Sequence, residues 1–166
     1  MTEIWDVYDE NANKTGMTME RGVPKPGQYM LCVHIYIINS HGQFLMQKRS
    51  QQKQSHPGEW DVTGGAVLAG EESVDAAVRE TCEEIGIEIH SDDMMFVGRI
   101  KRGKGFVDVY FARKDFTETD CKLQSEEVEQ VKFVSVEEML DIERNGRKRE
   151  PEYMEVLEDG IRGLAL

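Results

Sequence analysis

Three cysteines in 166 residues, Cys32, Cys82 and Cys121, are odd in number and form no CxxC pair. That excludes a disulfide framework or a zinc ribbon as the source of stability. No long hydrophobic run is present. The longest apolar stretch, Met30 to Ile38, is interrupted by His34, and a membrane-spanning helix needs about 20 residues. The N-terminal MTEIWDVYDE is acidic and has no apolar core, unlike a secretory signal. Positive charge is scarce, with 20 Lys+Arg against 32 Asp+Glu and a formal net charge of -12. A chain of that sign is repelled by polymeric phosphate, which argues against a nucleic-acid partner. It leaves room for a small anionic substrate held through a divalent cation. The expectation is a cytoplasmic protein with no membrane or nucleic-acid partner. It forms one domain over residues 1–166, because a chain of about 150 residues buries roughly 68–70% of its unfolded surface.

What is present is a mixture of strand and helix patterns. Ile4–Tyr8 alternates apolar and polar residues, Asp9–Asn13 supplies turn residues, and Thr15–Glu20 returns. Val23-Pro-Lys-Pro-Gly27 then breaks the chain and sets residues 1–27 apart as a hairpin extension, which offers an edge for pairing in a homodimer. Tyr29–Asn39 reads as a buried strand with Phe44–Arg49 returning after Ser40-His-Gly42. Trp60-Asp-Val62 is a short strand leading into Thr63-Gly-Gly65. Glu72–Ile85 is the clearest helix, with Val74, Ala77, Val78, Thr81, Cys82 and Ile85 on one face and Gly86 as the left-handed stop. Met94–Ile100, Gly105–Arg113 and Val131–Val134 read as strands. Ser135 caps a helix over Val136–Ile142 with Glu138 at capping-box spacing, and Pro151–Leu164 is a last helix. Hairpins mixed with helices favour an α+β fold with a mixed sheet.

One segment departs from what stability alone would select. Glu80, Glu83 and Glu84 sit within one helical turn of each other near a helix C-terminus. Like charges at that spacing cost about 0.2–0.5 kcal/mol per pair, and the dipole adds to the penalty. A divalent cation reverses the sign, since carboxylate oxygens are the ligands Mg2+ and Mn2+ prefer. The plain alternative is a solvated acidic face. Against it stands the Gly64-Gly65 loop, where the absence of side chains lets the backbone approach an ion or ligand.

The residues of this segment spell a motif. Gly65, Glu71, Arg79, Glu80, Glu83, Glu84, Gly86 and Ile87 match the spacing Gx5Ex7REUxEExGU over residues 65–87, with Thr81 in place of a bulky apolar residue. This resembles the Nudix box. The resemblance implies an α/β/α sandwich with a mixed sheet between helices. It also implies a metal-dependent hydrolase that cleaves the diphosphate of a nucleoside diphosphate linked to another moiety X by water attack on phosphorus. Glu80 and Glu84 are then the first metal ligands, with Gly65 alongside, Glu83 is a third ligand or the base, and Arg79 orients the acids, with Glu71 as its partner. Mg2+ or Mn2+ is the implied cofactor. Glu126 and Glu127 are candidates for an auxiliary acid, against the reading of an exposed acidic turn. Lys48 and Arg49 are candidates for phosphate contact, and Trp60 for stacking, although Trp60 reads more readily as a core or rim aromatic. His34 is expected to be a satisfied core histidine, Cys82 to fill the inner helix face, and Arg147-Lys-Arg149 to be a solvated loop.

Trp5-Asp-Val-Tyr-Asp9, Lys14-Thr-Gly16 and Trp60-Asp-Val-Thr-Gly-Gly65 extend the resemblance to the Nudix proteins related to isopentenyl-diphosphate isomerase, so isomerisation is the rival activity. Those isomerases carry Cys-Gly-His near where this chain has Gly64-Gly65-Ala66, and a metal-binding His of their early strand falls near Met30. A nucleotide-binding protein of the same fold without turnover is the third reading. The substrate is set outside the box, with Gln43–Gly58 and the Lys101 loop as the candidate segments.

Overall fold

The computed structural model describes residues 2–166. In chain order the strands and helices are β1 Ile4–Tyr8, β2 Lys14–Glu20, β3 Met30–Ile38, β4 Phe44–Arg49, β5 Trp60–Asp61, β6 Thr63–Ala66, α1 Ser73–Ile85, β7 Met95–Arg102, β8 Gly105–Arg113, β9 Val128–Val134, α2 Val136–Asp141 and α3 Pro151–Arg162. β1 and β2 form the expected antiparallel hairpin. The other seven strands form one mixed sheet along β5-β4-β3-β8-β7, with β6 on β3 and β9 on β4. β3 and β8 run parallel in unbroken register from Met30↔Gly105 to Ile38↔Arg113.

β3 is apolar apart from His34 because most of both its faces is buried. Leu31, Val33, Ile35 and Ile37 pack toward α1, against Ala76, Ala77 and Ile85. Tyr36 and Ile38 point the other way, toward Met139 of α2 and Tyr153 and Leu157 of α3. The alternation of side chains along the strand thus produces a helix/sheet/helix sandwich. No described helix is long and apolar enough to cross a membrane.

Several local expectations need correction. β4 does not return along β3. The two pair only at Ile38↔Phe44, because β3 gives its edges to β6 and β8 while β4 pairs with β9 and β5. The two strands splay, and the gap between them is the site described below. α2 stops at Asp141 and the chain continues as a π-helical turn over Ile142–Gly146. Ser135 Oγ accepts from the Glu138 N–H at 3.1 Å, but the Glu138 carboxylate turns to Lys132, so the capping box is half made. On α1 the buried stripe runs through Ala77, Thr81 and Ile85. Cys82, about 100° further round the helix, is exposed rather than inward. Thr81 is buried in the stripe and donates its hydroxyl to the Ala77 carbonyl at 2.8 Å, so its polarity is satisfied.

Candidate active site

α1 is fixed at both ends by its own sequence. The Glu72 N–H donates to Asp75 Oδ2 at 3.1 Å at its start. Gly86, at φ 71°, ends it in the left-handed conformation that glycine adopts most readily. A side chain there would also meet the Lys122 backbone nitrogen at 3.0 Å.

Within that frame Arg79 is the hub. It grips Glu71 with a two-pronged fork, Nε to Oε2 at 2.8 Å and Nη2 to Oε1 at 3.0 Å. Nη1 donates to Glu80 Oε1 at 2.9 Å and to Glu83 Oε2 at 3.1 Å, and Nη2 also reaches the Ala66 carbonyl at 3.0 Å. The guanidinium therefore pins three acids and the end of β6 together, as bidentate pairing allows. Against the effect of burial, the Arg79 fork holds the Glu71 carboxyl below its ordinary range.

Glu84 is the most deeply placed acid, with 6% of its surface exposed. Its Oε1 accepts from Gln47 Nε2 and from the Gly64 N–H, each at 3.2 Å, and Thr63 Oγ1 donates to Gln47 Oε1 at 2.9 Å. No Lys, Arg or His forms an ion pair with Glu84 among the described residues. Burial, reinforced by the Glu80 charge, pushes its carboxyl up to about 8. Burial pushes Glu80 up to about 7, against the pull of Arg79. Glu83 is half-exposed on the rim. Gly65 is glycine for a reason visible in space, since a Cβ there would lie 2.3 Å from the Glu80 carboxyl carbon.

The described acids and histidines include no group of three gathered around one point as a ready cation cage. The donor set nevertheless fits a divalent cation. Two desolvated hard-oxygen donors repel one another, one of them lacks a cationic partner, and the backbone beside them carries no side chain. Glu80, Glu84 and the Gly65 backbone would hold such an ion.

These groups line a cleft of about 500 Å³ between β3, β6 and the diverging β4. Its opposite side is basic, with Arg49, Lys53, Arg102, Arg147 and Arg149. Glu127 is in the cleft and paired with Lys53, whereas Glu126 is exposed outside it. Lys48 points away and pairs with Glu129 at 3.2 Å, so of the two candidate phosphate contacts only Arg49 faces the site. Trp60 is also absent from the lining. It packs on the α2–α3 side of the core with Lys132 Nζ 4.2 Å from its ring centroid. The alternation of side chains along a strand separates Lys48 from Arg49 and Trp60 from Asp61. His34 lines the cleft but is satisfied, its Nδ1 bonded to the Tyr153 hydroxyl at 2.8 Å, and burial keeps its ring neutral.

Three features of the site are not visible in the motif. The N-terminal hairpin clamps the connection between β6 and α1, with Ala69 N–H donating to the Ile4 carbonyl at 2.8 Å, Gly70 N–H to Asp6 Oδ2 at 2.9 Å and Lys14 Nζ to the Glu71 carbonyl at 3.1 Å. It thereby brings Glu3, Trp5 and Arg21 to the rim. Gln47 holds the deepest glutamate. Arg147 and Arg149 are not a solvated loop, since Arg149 is buried and both line the cleft around Asp61. A charged residue inside an apolar strand pattern, Asp61 between Trp60 and Val62, was the signal for that last cluster.

A model of the NUDIX domain matches residues 28–156. An uncharacterized Nudix hydrolase of Listeria monocytogenes is 39% identical over 146 residues, spanning 87% of this chain and 86% of the relative. A protein of Aromatoleum aromaticum named as isopentenyl-diphosphate Delta-isomerase 2 is 29% identical over 152 residues, covering 89% and 78%. The crystal structure of a Deinococcus radiodurans protein superposes with a TM-score of 0.69 at 26% identity, covering 87% and 90%. Fold, motif and relatives agree that this chain belongs to the Nudix hydrolase family.

Proposed function

We propose that the cleft hydrolyses the diphosphate linkage of a nucleoside diphosphate joined to a second moiety, with Mg2+ or Mn2+ bound at Glu80, Glu84 and the Gly65 backbone. One observation carries this reading. Two desolvated carboxylates lie close together, Glu84 with no cationic partner among the described residues and Glu80 paired only with Arg79, and the same cleft is lined by Arg49, Arg147 and Arg149. Phosphoryl transfer from a phosphoanhydride needs mainly positioning and charge neutralisation, which these groups supply.

The bound cation would neutralise phosphate oxygens and lower the pKa of coordinated water. The chain does the rest. Arg79, anchored by its fork on Glu71, holds Glu80 and Glu83 through its remaining nitrogen. Glu83, half-exposed at the rim, accepts the proton of the attacking water. Gln47 and the Gly64 N–H orient Glu84. Arg49 faces the diphosphate from the other side.

The isomerase reading draws on the names of some relatives. Near where the isomerases carry their Cys-Gly-His and early-strand His, this chain has Gly64, Gly65, Ala66 and Met30, which bring no thiol or imidazole. Cys32, the one cysteine lining the cleft, is pushed up to about 11 by burial and stays protonated at neutral pH.

The test is a chromatographic screen for the phosphate-bearing hydrolysis products of nucleoside diphosphate sugars, dinucleotides, nucleoside triphosphates and isoprenoid diphosphates with Mg2+. Turnover is expected with at least one nucleotide class, to be abolished by EDTA and reduced by orders of magnitude in Glu80→Gln and Glu84→Gln. Near-wild-type rates in both variants would sink the assignment.

A further inference from the structure

Opposite the glutamates, three guanidiniums gather on the Asp61 carboxylate. Arg149 Nη2 donates to Oδ1 at 2.7 Å, Arg49 Nη1 donates to Oδ2 at 3.5 Å, and Arg147 Nε lies 3.4 Å from Oδ1 without the alignment to donate. Arg149 also spends its Nε on Glu143 Oε2 at 2.6 Å. It stacks over Tyr153 at 4.9 Å, and the Tyr153 hydroxyl bonds Tyr36 at 2.6 Å and His34 at 2.8 Å, so Arg149 is locked. Three arginines therefore share two carboxylates, a surplus of one positive charge. The neighbouring cations do not change that balance, because Arg102 pairs with Glu150 at 3.1 Å and Lys53 pairs with Glu127.

Arg147 is the member left short. Its side chain is 12% exposed and lines the cleft, yet its Nε and Nη1 are buried and donate to no acceptor among the described residues. A buried donor without a partner costs about 1–3 kcal/mol. A stability role therefore explains Arg147 poorly, whereas an incoming anion would balance the surplus charge and, after a turn of the guanidinium, accept from a donor that now has no partner. The position suits a ligand that also reaches the glutamates. Gln47, which donates to Glu84, pairs across the β4–β5 ladder with Asp61. Partners across antiparallel strands stand about 4.5–5.5 Å apart, so the acidic and basic corners adjoin.

We propose that Arg147 is a specificity-determining residue that binds a phosphoryl oxyanion of the substrate other than the one attacked. The oxyanion is supplied either by the second phosphoryl of the diphosphate or by a phosphomonoester carried elsewhere on the substrate. This rests on the reading of the cleft as a diphosphate site and adds where the rest of the substrate's charge is read.

Calorimetric titration of the full chain tests it without turnover. The first probe is methylenediphosphonate, a diphosphate analogue that resists hydrolysis, with Mg2+ present. Arg147→Gln is expected to weaken binding by about tenfold or more, as loss of a charge-assisted hydrogen bond would, with an unchanged or higher Tm because two unspent donors vanish. The second probe is a pair differing by one phosphomonoester, coenzyme A and dephospho-coenzyme A, titrated in EDTA. A loss confined to coenzyme A assigns the oxyanion to the phosphomonoester. An equal loss for both, matched by the diphosphonate, assigns it to the diphosphate. Wild-type affinity of Arg147→Gln for all probes overturns the proposal, and so does failure of that variant to fold, which would make Arg147 a structural prop. A chain that hydrolyses no diphosphate but shows the affinity loss would refute the hydrolase reading and leave the anion corner standing.

Discussion

Replacing Glu84 by Gln should remove activity and stabilise the metal-free protein. The Glu84 carboxyl has an ordinary value of 4.5 and is pushed up to about 8 in the fold by burial and the Glu80 charge. For an acid shifted upward, the folded state holds its proton while the unfolded state has lost it, so stability falls as pH rises from 4.5 toward 8. At pH 7 the gap is about 2.5 pH units, and at 1.36 kcal/mol per unit the penalty is on the order of 3 kcal/mol. Glutamine carries no charge to desolvate. Its side-chain oxygen can still accept from Gln47 Nε2 and the Gly64 N–H. For a domain of this size that corresponds to a Tm gain of roughly 6–12 °C, less whatever the new amide loses by burial. The assay is thermal unfolding by circular dichroism in EDTA from pH 4 to pH 8. The wild-type curve should decline relative to the variant above pH 4.5 and converge with it at pH 4. Addition of Mg2+ should raise the wild-type Tm and leave the variant unmoved. A Glu84→Gln protein less stable than wild type at pH 8 in EDTA would refute the argument that burial and repulsion, relieved by a cation, explain this acid.

Other outcomes follow from the same geometry. Glu83→Gln should lower kcat by about 10²–10⁴, the range for loss of a general base, while the Mn2+ affinity read by titration stays within a few-fold of wild type; a matching loss of Mn2+ affinity would make Glu83 a ligand instead. Gly65→Ala should abolish turnover with little change in far-ultraviolet circular dichroism, because its Cβ would overlap the Glu80 carboxylate. Arg79→Lys keeps the charge but not the fork on Glu71, and should lower kcat far more than it raises KM. Asp6→Ala breaks the tie to the Gly70 N–H and the 3.3 Å pair with Lys14. It should speed hydrogen exchange in residues 68–71 without unfolding the sheet.

The extent to which the sequence was legible differs by kind of feature. The strands and α1 were readable because their signals are local. Period-two alternation in β1, the branched apolar run of β3, and Gly86 at the end of α1 each act within a few residues. The glutamates were readable for the same reason, since the spacing 80, 83, 84 is a statement about one helical turn. Their unequal fates were not. Glu84 is buried against Gln47 and Gly64, while Glu83 stays on the rim in the grip of Arg79. That difference is set by the sheet beneath α1 and leaves no trace in the spacing.

Pairing between distant segments was beyond local signals altogether. That β4 leaves β3 after one pair depends on which strand wins each edge, a competition among β6, β8, β9 and β5 decided by the whole sheet. The basic side of the cleft shows the same limit. Arg147 and Arg149 read as a polar loop because nothing within their own stretch calls for burial. Asp61, 88 residues away from Arg149, does so by desolvating with them. The sequence by itself determined the chemistry available, namely a hard-oxygen donor set in one helix and a family motif around it, because those are properties of residue type and short-range spacing. Only the tertiary structure decided which acids lose water, which cations face them and which arginine is left without a partner, because desolvation and charge balance belong to the assembled cleft.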